Sequence, residues 1–504
     1  MRTLAALAVL AVLPSCRLSA LQCPDGAPPP CAGQAARTAA QPTSVAVLYF
    51  ENLSRDTADL YLADGITEEL TSRLGAVTRL RVTGRSVVRR AQQVAGGDAL
   101  AVGRALNVRY LVEGSLRRSG PRVRVSVRLL RASDGVRVWG DDYDRTMDDL
   151  LALQEDIARQ VAASVAGQLL PGERSALAAR PTTSAEAYDH YLRGRYLYTR
   201  RTVTAITQAA AEFGEALRLD PRFAAAEARY ATTLTLAYGY GAPLASDDSL
   251  AARARRSAER ALQLDSTASD AWLAIAAVRF WFQPIELDAA RAAMRQAITL
   301  DPRNAEAQHA LGVMLQSLQE DSAAITAFQR ALALEPTRGV TLLDMAEVRY
   351  TQRRYAEARR LVDSAIALDP LQSRPFGLRG ALRQTMGDIA GGRTDAETAL
   401  RQSAPKVRMY SLAQMIGFDL LAHDTVSARA RLAEMEASPL TVALAHALAL
   451  AHLGLLDSAT AVLARGPILP IDWSVLPMPE FDLLRSLPGY PRAIEAWRLR
   501  RPRS

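Results

Sequence analysis

The second half of the chain is organised around a six-residue sequence, Ala-Leu-x-Leu-Asp-Pro, that recurs with small changes. Five copies end at Pro221, Ser266, Pro302, Pro336 and Pro370, so successive copies lie 45, 36, 34 and 34 residues apart. A period near 34 residues is typical of repeats that contain two helices each. Because one such unit cannot bury its apolar face alone, the pattern predicts a stack of helical repeats that grows without a single core.

Small and larger apolar residues recur at fixed places ahead of each copy. An alanine comes first, a second apolar residue follows four positions later, and another alanine follows three positions after that, so all three lie on one helix face. Alanine lets neighbouring helices approach closely, and the larger residues fill the remaining space. We expect these faces to be buried. The central apolar residues are Phe213, Ala258, Met294, Phe328 and Val362.

These units resemble the tetratricopeptide repeat (TPR) family. The clearest unit, at 305–338, has Leu311-Gly312 in its first helix and Phe328 in its second. The resemblance implies an all-α solenoid of about eight units over residues 186–466, of which the last three are degenerate.

The TPR resemblance also implies where a partner would bind. In this family the first helix of each unit lines a concave face that holds a protein or peptide. Aromatic and arginine side chains dominate interface energies, so replacing Tyr198, Arg201 and Tyr350 by alanine is expected to weaken partner binding with little change in melting temperature. Phe280 and Trp281 could equally pack against the next repeat. The matching positions are Tyr191, Tyr198, Arg201, Leu273, Phe280, Trp281, Glu306, His309, Gln316, Leu343, Glu347 and Tyr350.

Residues 44–170 show a different pattern, in which short apolar or alternating runs predict strands and longer runs with helical spacing predict helices. The expected fold class is an α/β N-terminal domain, a mixed sheet with flanking helices, followed by an all-α TPR solenoid. Predicted strands cover 45–50, 80–83, 108–118, 122–131 and 136–143, and predicted helices cover 59–77, 98–106 and 147–169.

Four segments of this domain resemble the TolB-amino-terminal-like domain, which is related to accessory outer-membrane proteins of the FlgO and CsgG type. The resemblance implies an envelope-associated interaction module and provides no catalytic residues. The segments are Val45-Ala-Val-Leu-Tyr-Phe-Glu-Asn-Leu-Ser54, Leu62-Ala-Asp-Gly-Ile-Thr-Glu-Glu-Leu70, Tyr110-Leu-Val-Glu-Gly-Ser-Leu-Arg117 and Val138-Trp-Gly-Asp-Asp-Tyr-Asp144.

The N-terminus has the features of an export signal. Arg2 precedes about ten apolar residues, too few to span a bilayer, and the run ends in Leu13-Pro-Ser-Cys16. This ending resembles a bacterial lipobox, which implies a lipid on Cys16 and a membrane-tethered, periplasm-facing protein in the cell envelope. Cleavage near Ser19, giving a soluble periplasmic or secreted protein, is the alternative.

Two more cysteines, Cys23 and Cys31, frame a Pro/Gly-rich loop. In an exported protein they are expected to form a disulfide, and two free thiols are the alternative if export fails. The expected parts of the chain are a signal peptide at 1–15, a lipid-anchored linker at 16–43, the α/β domain at 44–170, the TPR array at 186–466 and a proline-rich capping tail at 467–504.

Composition argues against nucleic acid as a partner. The net charge is +8, but Lys406 is the only lysine and the arginines alternate with acidic residues, which is typical of solvated helix faces. The chain lacks a P-loop, a dinucleotide-binding glycine turn and hydrolase or metalloprotease motifs. Its five histidines are scattered, so no catalytic residue, cofactor or metal is expected.

Two functions fit these features. The first is a non-catalytic, lipid-anchored scaffold whose TPR groove binds a protein or peptide. The second is a sensory module whose α/β domain binds a small ligand and signals through the array.

Overall fold

The computed structural model describes residues 43–56, 59–282, 285–438, 442–465, 470–487 and 489–492. The expected signal peptide and Cys16, Cys23 and Cys31 lie outside the described residues. From Ser44 onward the chain forms one compact unit.

A mixed sheet opens the described chain. Its order is β3-β1-β4-β5-β6, with β2 also pairing with β4. β1 and β2 run parallel to β4, and β4, β5 and β6 form an antiparallel meander. Gly120, with a φ of +59°, makes the tight turn between β4 and β5. The strands are β1 (Thr43–Val47), β2 (Glu51–Asn52), β3 (Leu80–Val82), β4 (Tyr110–Ser119), β5 (Arg122–Arg131) and β6 (Arg137–Thr146).

Helices cover both faces of this sheet. Because side chains alternate along a strand, Val45 and Val47 join the core formed with α1 and α4, whereas Ala46 and Leu48 join a smaller core with α2 and α3. The sequence did not predict α2, because its buried face contributes little more than Val88. The helices are α1 (Leu60–Gly75), α2 (Arg85–Val94), α3 (Ala99–Leu106), α4 (Leu150–Ala166) and α5 (Pro171–Ala178).

Sixteen further helices of the described residues form eight antiparallel pairs, so the expected fold class, a mixed sheet followed by a helical array, is confirmed. Asparagine, serine, threonine or aspartate side chains cap several of these helices, as Asn304 does by accepting a hydrogen bond from the backbone N–H of Ala307. The pairs are α6 (Ala185–Tyr198) and α7 (Val203–Leu219), α8 (Ala224–Tyr240) and α9 (Asp247–Leu264), α10 (Ser269–Trp281) and α11 (Leu287–Leu300), α12 (Ala305–Ser317) and α13 (Asp321–Leu334), α14 (Gly339–Thr351) and α15 (Tyr355–Leu368), α16 (Ser373–Thr385) and α17 (Ile389–Gln402), α18 (Pro405–Leu421) and α19 (Thr425–Glu436), and α20 (Ala443–His452) and α21 (Leu456–Arg465).

The predicted buried face of the second helices is confirmed. The five central apolar residues, from Phe213 to Val362, are at most 1% exposed. Glycine on the facing helix makes room for the largest of them, since a Cβ at Gly312 would lie 2.4 Å from the ring of Phe328. Small residues on one helix and large ones on the other therefore set the distance between the two helices of a pair.

The core of the sheet domain continues into the first helix pair. Leu62 of α1 and Ile157 of α4 belong to the same buried cluster as Tyr188 and Phe213 of α6 and α7. Polar contacts cross the same junction, because the hydroxyl of Tyr188 donates to Gln154 Oε1 at 3.0 Å. The first pair is thus held between the sheet domain and the second pair.

Candidate functional site: the concave face of the array

The twelve predicted groove residues lie on the first helices of their pairs or, for Arg201, in the turn that follows. Ten of them are buried, and only Trp281 and Glu306 are partly exposed. This burial contradicts the expectation that Tyr198, Arg201 and Tyr350 could be replaced by alanine at little cost. Tyr198 is 6% exposed and Tyr350 is 1% exposed, so each replacement would leave a cavity.

Glu306 of α12 is the centre of a largely buried ion cluster that joins the first and fourth pairs. Its Oε1 accepts hydrogen bonds from the Tyr198 hydroxyl at 3.2 Å and from Arg201 Nη2 at 3.2 Å. Its Oε2 accepts one from Arg338 Nη2. The Arg201 guanidinium also lies 4.4 Å from the centre of the Tyr198 ring, a cation–π distance. Contacts between side chains that are more than 100 residues apart in sequence therefore bridge the inner side of the array.

A second cluster lies next to it on α14 and α16. Arg374 Nη2 is 2.9 Å from Asp344 Oδ1 and 2.7 Å from Glu347 Oε1. Gln316 Nε2 donates to Glu347 Oε2 at 3.2 Å, and His309 Nε2 lies 3.7 Å from Asp344 Oδ2. The predicted residues Glu306, His309, Gln316 and Glu347 thus belong to one continuous polar lining.

Burial and neighbouring charges shift the pKa values of this lining. Burial alone would raise the pKa of Glu306, but Arg338 and Arg201 outweigh it and hold that pKa well below its usual value. Burial, reinforced by Arg338, lowers the pKa of His309 well below 6.5, so this imidazole is neutral near pH 7. Burial raises the pKa of Asp344 to about 6, against the opposing effect of Arg374.

Five charged residues of the lining were missed by the sequence analysis, among them Arg229, whose Nη2 lies 2.8 Å from Asp270 Oδ2. One signal was present, because Asp270, Glu306 and Arg374 are each the second residue of a first helix. The missed residues are Arg229, Asp270, Arg338, Asp344 and Arg374.

The single lysine of the chain forms a second contact between distant repeats. Lys406 Nζ on α18 donates to the Tyr238 backbone oxygen at 2.8 Å and lies 4.0 Å from the centre of the Tyr238 ring. This contact joins the seventh pair to the second. Both residues lie on the first helices of their pairs, α18 and α8.

The C-terminal tail also packs against first helices of the array. Its helix α22 (Pro470–Val475) packs against α12, and α23 (Asp482–Arg485) packs against α20 of the last pair. Five apolar tail residues are buried in one cluster with Leu343 and Tyr350 of α14: Leu476, Met478, Phe481, Leu484 and Leu487. The tail therefore reaches inward to the fourth pair as well as covering the eighth.

Within the described ranges, no group of three or more histidine, cysteine or acidic side chains is placed to hold a metal ion. None of the helices found there combines the length and the apolar composition that crossing a membrane requires.

Comparisons with known proteins agree with the helical array. Residues 322–382 match the tetratricopeptide repeat family. A Rhizobium meliloti (strain 1021) protein named "Putative adenylate cyclase 3" is 34% identical over 185 residues, 37% of this chain and 31% of that protein. The type IV pilus assembly protein PilF of Pseudomonas aeruginosa is 32% identical over 114 residues, 22% of this chain and 45% of that protein.

Among solved structures, the Cut9–Hcn1 hetero-tetramer of the APC/C aligns with a TM-score of 0.45 and 14% identity, covering 70% of this chain and 63% of that one. The chain spans less than half the length of the two curated relatives described above. Residues 322–382 are therefore tetratricopeptide repeats, and the other helix pairs have the same two-helix arrangement.

Proposed function

We propose that the protein is a non-catalytic scaffold of the cell envelope, which binds a protein partner through the concave face of its TPR array. The observation that carries the proposal is the lining of that face, where aromatic, arginine and acidic side chains from several pairs converge around Glu306. Such side chains favour specific protein recognition. No activity is carried over from the Rhizobium relative, because the match covers only 31% of that protein.

The proposal for the envelope rests on the sequence of the N-terminus and on the similarity of the domain at 44–170 to TolB-amino-terminal-like domains. The pilus assembly relative supports a role in assembly or scaffolding. In this proposal Cys16 carries the lipid, Cys23 and Cys31 form a disulfide, and nucleic acid is not a partner.

Site-specific photo-crosslinking in intact cells tests where the partner docks. A photoreactive phenylalanine analogue at Trp281, a partly exposed residue of the predicted groove, is expected to give a discrete cross-linked species. The control position is Leu300, which is 36% exposed at the end of the second helix α11. Equal cross-linking from both positions, or none from Trp281, would contradict docking on the concave face.

Lipid attachment is tested separately. Replacing Cys16 with serine is expected to abolish labelling by a fatty-acid analogue, because only a thiol at that position can take the diacylglycerol. Labelling is followed in the native cells, with Cys23→Ser as the matched control that should keep its label. If the protein with Cys16 intact takes no label and is recovered as a soluble species, the lipid anchor is ruled out.

A further inference from the structure

We propose that the tail segment 470–487 is an exchangeable internal ligand of the concave face, and that a protein partner docks by displacing it with a segment of the same chemistry. Such a segment would carry one acidic side chain before an apolar stretch that includes a phenylalanine, and a second acidic side chain directly after that phenylalanine. This inference rests on the proposed function, because it specifies how the concave face meets its partner.

The position of the tail is that of a ligand rather than of a simple end cap. An end cap needs to cover only the last repeat of a solenoid. Here α22 packs against α12 of the fourth pair, and buried tail side chains join Leu343 and Tyr350 of the fifth. Both of these residues occupy positions where the TPR pattern predicts partner contacts. The tail thus covers the surface that a partner would need.

Polar contacts hold the tail before its apolar stretch and within it. The Tyr410 hydroxyl donates a hydrogen bond to Asp472 Oδ1, and Arg353 Nη2 lies 3.1 Å from Asp482 Oδ1. The Phe481 ring meets the Tyr410 ring edge-on, with 6.4 Å between their centres. Short segments that bind grooves combine such apolar anchors with a few polar contacts that set their register.

One tail residue, Glu480, places a carboxyl group in a buried position. Glu480 Oε2 is buried without a hydrogen-bond partner of its own. The Tyr350 hydroxyl and the Glu480 backbone N–H stabilise the carboxylate, but burial outweighs them, which is unfavourable for docking of the charged form. Glu347, Tyr350 and Arg353 face it from α14 and the turn that follows, and Arg485 faces it from α23. A partner with a neutral residue at this place would bind better than the tail does.

The same residue makes docking depend on pH. Burial raises the pKa of Glu480 to about 7, with Glu347 acting in the same direction and Arg353 against it. The pKa of Glu480 in the docked tail lies above the ordinary carboxyl value. Protonation of Glu480 therefore stabilises docking fully below about pH 4.3, and this stabilisation is lost as the pH rises through about 7.

Hydrogen exchange of the full chain tests whether the tail opens on its own. We expect amides of 470–487 to exchange about 100-fold faster than those of α20, and faster at pH 8 than at pH 6 after correction for intrinsic rates. Glu480→Gln should slow tail exchange at pH 8 by roughly tenfold and remove the pH dependence. A tail that exchanges only together with α20 would be a permanent part of the core, and the proposal would fail.

A fluorescent peptide with the sequence of residues 470–487 tests exchange directly. Tethering gives the chain's own tail a high effective concentration, so the unmodified chain should bind the peptide weakly. Phe481→Ala and Asp482→Asn weaken the tail and leave the groove intact. Phe481→Ala should bind the peptide roughly tenfold more tightly, and Asp482→Asn, which removes an exposed ion pair, about threefold more tightly. Asp482→Asn keeps the test valid if Phe481→Ala fails to fold.

The control peptide carries alanine in place of Phe481 and should not bind. Failure of both variants to bind the peptide, or equal binding of the control, would overturn tail exchange. Cross-linking from Trp281 separates this failure from that of the proposed function, because a partner could still dock there beside a permanent tail.

Discussion

Replacing Glu306 by glutamine is expected to destabilise the protein by about 3 kcal/mol, because Arg201 would remain charged and buried without its carboxylate, while Arg338 would keep only its pair with Glu335. Urea unfolding measures the loss. The pKa of Glu306 lies well below its usual value, so its contribution is present above about pH 4.3 and is lost as the pH falls towards the folded pKa. The free energy of unfolding of the Glu306→Gln variant should not show this decrease at acid pH.

The matched control is Glu434→Gln. Glu434 also pairs with an arginine, Arg408, but its side chain is 45% exposed. An exposed pair contributes about 1 kcal/mol or less. If the two substitutions lower the free energy of unfolding by the same amount, the cluster around Glu306 stabilises the protein no more than a surface ion pair does. The proposal that this cluster joins distant repeats would then be wrong.

Replacing Phe213 by alanine is expected to cost about 3 to 5 kcal/mol. Phe213 is fully buried, and its ring centre lies 5.8 Å from that of Tyr191. Gly194 leaves space for this ring, since a Cβ there would lie 2.8 Å from it. Because the same cluster contains Leu62 of the sheet domain, the loss should appear as faster hydrogen exchange in α1 as well as in α6 and α7.

Phe376→Ala provides the comparison. Phe376 is partly exposed on α16 and its ring faces Arg379, so the expected cost is about 1 kcal/mol. Faster exchange confined to α6 and α7 in the Phe213 variant would mean that the sheet domain and the first repeat are energetically separate.

The sequence was a good guide to the contacts within and between neighbouring repeats. Phe213, Phe328 and Val362 are buried as predicted, because their environment depends on spacing along a single helix. The repeat template also assigned Tyr198, Glu306 and Glu347 to the first helices of their pairs, where the structure has them, and their role in partner binding stays a prediction. Each of these predictions requires only local periodicity and the geometry of one helix pair.

The contacts that the sequence did not predict depend on the cumulative rotation from each helix pair to the next. The contact between Tyr198 and Glu306 forms only if four pairs turn by the right amount, and no local pattern encodes that total. The tail is a similar case, because its prolines break the periodicity and Phe481 has no counterpart in the repeats. Burial of the inner face, and hence the cost of changing Tyr350, followed from these long-range contacts.

The link between Lys406 and Tyr238 has a consequence for how the array responds to force and heat. An open solenoid behaves as a one-dimensional chain, in which each repeat melts or bends according to its two neighbours alone. Contacts that join the second pair to the seventh, and the first to the fourth, link repeats that are not neighbours in sequence. Strain applied at one repeat is then shared by repeats far away in sequence, so the array should yield as one body rather than fray from an end.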